Sequence, residues 1–145
     1  MKYLVIGYGN TLRSDDGVGF WVAEKVATWN LANLRSVSVH QLTPELADDI
    51  ANADTVIFVD ALPISDEIPG DVKIEALTPE GTTGSFVHSS HPRSLLSLSQ
   101  AIYGKAPTAY WILIPAVNFE FSENLSAIAE AGVIKALETI QYLVT

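Results

Sequence analysis

Thirteen residues near the start of the chain, Gly7-Tyr8-Gly9-Asn10-Thr11-Leu12-Arg13-Ser14-Asp15-Asp16-Gly17-Val18-Gly19, constrain the fold more than any other stretch. They follow the apolar segment Tyr3-Leu4-Val5-Ile6, which reads as a buried strand. They lead into Val18-Gly19-Phe20-Trp21-Val22-Ala23-Glu24-Lys25-Val26, which reads as a helix. A glycine-rich strand-to-helix loop at this place is a usual seat of function in α/β domains. Glycine lets the backbone turn sharply and approach a ligand closely. Phosphate loops share that feature but present amides to an anion, and two adjacent carboxylates, Asp15 and Asp16, would repel one and attract a cation. A dinucleotide fingerprint would need glycine where Leu12 stands and an acid at the end of the second strand, where the chain reads Val39-His40-Gln41. A Walker loop is absent. A plainer role for Asp15 or Asp16 is to cap the helix that follows.

The rest of the chain alternates strands and helices. The expected strands are Tyr3–Gly7, Arg35–Gln41, Thr55–Asp60, Val72–Leu77 and Ala109–Ala116. The expected helices are Gly17–Trp29, Pro44–Asn52, His91–Tyr103 and Asn124–Leu143. Thr43 reads as a helix cap with Pro44 in the first turn. Val133, Leu137, Ile140 and Val144 form one apolar stripe at helical spacing. Val56-Ile57-Phe58-Val59 is continuously apolar, as a strand covered on both faces should be. The expectation is a single α/β domain over residues 1–145, a twisted, mostly parallel five-stranded sheet sandwiched between helices. Longer loops interrupt it at Pro63–Gly70 and Thr78–Ser90.

Composition narrows the partners. The net charge is −9 with no basic cluster, which argues against nucleic acid. There is no cysteine, so disulfides, thiolate metal sites and a cysteine nucleophile are all excluded, and a reducing cytoplasm is compatible. No apolar run approaches a membrane span, and the chain enters a strand within two residues, with no signal peptide in view. A cytoplasmic protein without a membrane partner is expected.

Three side chains should meet. Asp16 follows the first strand, Asp60 closes the third, and His91 opens the third helix. Carboxyl ends of parallel strands and the starts of the following helices share one edge of the sheet. Two carboxylates and an imidazole suit a divalent transition metal such as nickel, zinc or iron. Each has a plainer reading: a turn for Asp60, a helix N-terminus for His91. His88 is a rival ligand, and His40 reads as structural or partner-facing. Ser85, Ser89 and Ser90 lack a nucleophile elbow or a triad pattern.

At these positions the sequence resembles the hydrogenase maturation endopeptidases, which process the large subunit of nickel-iron hydrogenases. The opening matches the family pattern G-x-G-N-x-L-x-x-D-[DE]-G-x-G, Val59-Asp60-Ala61 matches its second acid, and Ser89-Ser90-His91 matches its histidine better than His88 does. The resemblance implies that Asp16, Asp60 and His91 are the catalytic, nickel-binding residues, with nickel supplied by the precursor. It implies removal of a C-terminal extension from that precursor, with a metal-bound water, Asp15 or Asp16 as the activating group. A non-catalytic nickel-dependent chaperone would use the same three residues. Where many members have D-G-G-T, this chain has His40-Gln41-Leu42-Thr43, which looks like the subgroup serving bidirectional, NAD-linked hydrogenases. That segment is the expected substrate-binding border. A second departure is Pro115-Ala116 in place of a Pro-Glu pair.

Overall fold

The computed structural model describes residues 1–65, 70–80 and 91–145. Its strands are β1 (Tyr3–Tyr8), β2 (Leu34–Val39), β3 (Thr55–Pro63), β4 (Lys73–Leu77) and β5 (Thr108–Ala116). Its helices are α1 (Val18–Ala27), α2 (Leu46–Ala51), α3 (Pro92–Tyr103) and α4 (Ala127–Val144), with a 3-10 turn at Ser14–Gly17 before α1. The sheet order is β2-β1-β3-β5-β4. All neighbours are parallel except β4, which runs antiparallel along β5 at one edge. The expected mostly parallel five-stranded sheet is therefore present, flanked by helices.

Alternation along the central strands divides the core in two. Val5, Ile57, Val59, Ile112 and Ile114 point to the face covered by α1 and α4. Leu4, Ile6, Val56 and Phe58 point to the face covered by α2 and α3 through Leu46, Ile50, Leu95 and Leu96. A strand buried on both faces has no polar side to show, which explains the unbroken apolar run in β3.

β1 feeds α1 and β2 on one side, whereas the chain returns through α2 to β3 on the other side of β1. The carboxyl ends of β1 and β3 thus diverge. This is the switch point at which open α/β sheets form their crevice.

Several boundaries differ from expectation. β3 continues past Asp60 to Pro63, because β5 pairs with it as far as Ala116. Asp60 lies within the strand, one residue beyond the last β1 partner, Val59. α2 begins at Leu46, not Pro44, and Thr43 does not cap it. Leu46 and Ala47 bond the carbonyls of Thr43 and Pro44 in a turn, and the Thr43 hydroxyl bonds the Glu45 carboxylate instead. α4 starts at Ala127, where the Ser126 hydroxyl accepts from the Ala129 N–H. Its inward face is made as much by Ala129, Gly132 and Ala136 as by Ile140 and Val144.

Glycines of the loop and of the first turn of α1 are packing elements. Gly9 has φ 149°, outside the range ordinary residues favour, and a Cβ there would collide with the Asp16 carbonyl. A Cβ on Gly19 would collide with the Val59 carbonyl and lie 2.6 Å from that of Tyr8, so α1 rests directly on the backbone of β1 and β3. Gly19→Ala should therefore cost roughly 2–3 kcal/mol by overpacking against atoms that cannot rotate away. Thermal unfolding should show a melting temperature several degrees lower, and an unchanged value would mean that α1 can slide outward freely.

Candidate active site

The adjacent acids of the opening loop have opposite surroundings. Asp15 is fully buried. Its Oδ2 accepts from the backbone N–H of Val117 at 2.9 Å and Asn118 at 3.0 Å, and from the Ser126 hydroxyl at 2.7 Å. Its Oδ1 accepts from the Ser126 N–H at 2.8 Å. Burial pushes this carboxyl up, but the bonds from Ser126, Val117 and Asn118 outweigh it and hold the group below the usual carboxylate range. Ser14, just before it, sits at φ 51°, held by Ser14 Oγ to the Asn124 carbonyl at 2.6 Å and by its N–H to Ser122 at 2.7 Å. Asp15 thus pins the β5–α4 connection to the β1–α1 loop. With its lone pairs occupied, it has no capacity left to activate a water.

Asp16 is half-buried, and its Oδ2 accepts from the Asn10 N–H at 3.0 Å. Asp60 stands at the switch point, with Oδ1 accepting from the Ala61 N–H at 2.7 Å. Burial pushes its carboxyl up to about 6; hydrogen bonds from the Tyr8 hydroxyl and the Ala61 N–H oppose this, and the charge of Asp16 adds to it. Asp16 and Asp60 are therefore electrostatic neighbours at one edge of the sheet.

His91 is the N-cap of α3, and Pro92 supplies the first turn. Its Nδ1 accepts from the Arg93 N–H at 3.1 Å, and its ring meets Trp111 edge-on at 5.1 Å. Arg93 ties this helix start to the end of β4, its Nε donating to the Thr78 carbonyl at 3.0 Å. With Nδ1 accepting the cap bond, a neutral ring carries its proton on Nε2. To ligate a cation the ring must give up the cap bond.

Among the described residues no three His, Asp or Glu side chains are gathered closely enough to hold a metal ion. The structure brings Asp16 and Asp60 together and places His91 beyond Trp111 on the same side. His88, Gly81 to Gly84 and Ser85, Ser89 and Ser90 lie outside the described residues.

The segment His40-Gln41-Leu42-Thr43 is divided. His40 and Gln41 are exposed, and His40 packs on Phe20 at 5.3 Å. The Gly9 N–H bonds the Val39 carbonyl at 3.2 Å, which sets this segment beside the acidic loop. Leu42, expected at the surface, is 4% exposed and belongs to the core beneath α2, because an apolar side chain at this turn gains more from burial with Leu46 and Ile50. Pro115 and Ala116 are also buried.

Two residues at this edge had no place in the sequence reading, Tyr8 and Trp111. Both are polar-tipped aromatics in aliphatic central strands, which is the signal that marks them. A separate hollow of about 240 Å³ lies at the opposite, amino-terminal edge, by Lys2, Asn33 and Arg35, away from all three candidate residues.

Fold and site together define an open α/β domain with an acidic crevice at its switch point. Solved structures of this architecture match along nearly the whole chain. The [NiFe] hydrogenase maturation protease HybD from Thermococcus kodakarensis is 25% identical, with all of both chains covered and a TM-score of 0.73. The hydrogenase maturating endopeptidase HybD from E. coli is 23% identical over 97% of this chain and 90% of its own, with a TM-score of 0.77. The maturation protease HycI from Thermococcus kodakarensis KOD1 is 22% identical over 96% of this chain and 89% of its own, with a TM-score of 0.71. The chain has the fold of the hydrogenase maturation endopeptidases. No family model matches it, and neither does any curated protein sequence. Among the described residues no helix is long and apolar enough to cross a membrane.

Proposed function

We propose that this chain is an endopeptidase that removes a C-terminal extension from the nickel-loaded large subunit of a nickel-iron hydrogenase during maturation. The observation that supports it most is Asp60 at the switch point with Asp16 as its neighbour, on a fold shared end to end with a [NiFe] hydrogenase maturation protease. In this reading nickel is part of the substrate. Asp16, Asp60 and His91 supply two carboxylates and an imidazole, a donor set suited to a borderline divalent ion, and the rest of the coordination comes from the precursor. Losing the His91 cap bond on ligation costs about 1 kcal/mol.

With Asp15 occupied, Asp16 is the carboxylate left to take a proton from the attacking water. Before the precursor binds, Asp60, pushed up to about 6, can hold a proton near neutral pH, and it gives that proton up on taking the ion. His40 and Gln41 border the crevice and are the surface through which this chain selects its precursor, in keeping with the subgroup serving bidirectional hydrogenases. The setting is cytoplasmic.

The test is a purified precursor assayed with and without nickel. Shortening of the nickel-loaded large subunit, seen by intact mass, supports the proposal. Cleavage of a nickel-free precursor in chelator overturns the metal dependence, and complex formation without shortening supports a chaperone. Asp16→Ala and His91→Ala should each lower processing by at least about 100-fold, the order expected for a group acting in the transition state. Both variants should stay within about 1 kcal/mol of the parent in stability, since neither residue fills the core.

A further inference from the structure

We propose that Tyr8 and Trp111 are positioning residues that orient the Asp60 carboxylate and link it to the His91 side of the crevice. Strand register supports this. Ile6 lies beside Phe58 and Gly7 beside Val59, so Tyr8 comes next to Asp60. Trp111 lies beside Phe58 and Leu113 beside Asp60. Side chains alternate across a sheet, so Tyr8, Asp60 and Trp111 share the α2–α3 face on three adjacent strands, at the end where His91 begins α3.

The hydrogen bonds run in one direction. Indole N–H only donates, and Trp111 Nε1 donates to the Tyr8 hydroxyl at 3.1 Å. That occupies an acceptor site of a phenol only 8% exposed, whose own proton then needs a partner. The acceptor beside it on the neighbouring strand is the Asp60 carboxylate, which the register sets next to Tyr8. A phenol keeps its proton at neutral pH, so Tyr8 is a donor there. The His91 ring rests on the edge of Trp111 at 68°. One continuous path, His91–Trp111–Tyr8–Asp60, therefore joins two site residues carried on different elements. Such outer partners fix the orientation of reactive groups.

The role rests on the proteolytic reading, and its test has one arm that does not. In nitrogen-15 spectra of the substrate-free protein, Asp60→Ala should shift the Trp111 indole N–H signal, with Trp21 and Trp29 as unmoved controls. The same change in a Tyr8→Phe background should leave Trp111 still. Equal shifts in both backgrounds overturn the linkage. In the processing assay Tyr8→Phe and Trp111→Phe should each lower kcat about 10-fold with KM altered less than about twofold, and the double variant should be no slower than the slower single one. A parent-like kcat for Tyr8→Phe overturns the positioning role. If the parent protein cleaves no precursor, the proteolytic reading fails, and the indole response alone decides whether the path exists.

Discussion

Asp15→Ala will cost about 4 kcal/mol or more, a large share of the ~5–15 kcal/mol that holds a domain of this size together. The substitution leaves the N–H groups of Val117, Asn118 and Ser126 and the Ser126 hydroxyl facing a buried void. Each stranded donor is worth roughly 1–3 kcal/mol. Asp15→Asn keeps one acceptor but turns an amide N–H toward donors, so it should cost about half as much. The pH dependence has a definite sign. The folded-state carboxyl lies below its unfolded value, so its stabilisation is complete above about pH 4 and disappears as pH falls through the folded value. Denaturant melts at pH 7 should show the full deficit, and melts at pH 3 a smaller one. A loss under about 1 kcal/mol at pH 7 would mean that water replaces the carboxylate, and Asp15 would again be available for chemistry.

The contrast between Asp15 and Asp16 marks how far the sequence could be read. The glycines, the two acids and the switch to helical spacing are local, so the loop, the first strand and the first helix were legible. The division of labour between the acids was not. The donors that occupy Asp15 lie 102 to 111 residues further along the chain, and nothing adjacent distinguishes it from its neighbour. Asp60 was legible as a strand acid because an aspartate ends a run of four apolar residues. The continuation of β3 to Pro63 depends on the length of β5, a remote partner. Leu42 misled because a single apolar residue among polar ones resembles surface. Its burial follows from the short α2, which leaves the turn before it lying against the sheet. The small residues of α4 carried no stripe of their own, since alanine and glycine mark close approach only when the opposing strand is known.

Asp60→Asn should do the opposite of Asp15→Ala, strengthening the fold while abolishing processing. Burial, with the nearby charge of Asp16, lifts the Asp60 carboxyl to about 6 against the bonds from Tyr8 and Ala61. An acid raised on folding is more stable in the native state with its proton on. The stabilisation is therefore full below the unfolded value near pH 4, and it is lost as pH rises through about 6. At pH 7.5 the protein carries a destabilising ion that asparagine removes, while the amide oxygen can still accept from Ala61. We expect a gain of roughly 1–3 kcal/mol at pH 7.5, a melting temperature higher by several degrees, and no gain at pH 4. A gain that is absent at pH 7.5, or equal at pH 4 and 7.5, would contradict it. An ionised group kept where it weakens the fold is a mark of a working site. The stability test needs no precursor and no nickel, so it can be made on the protein alone.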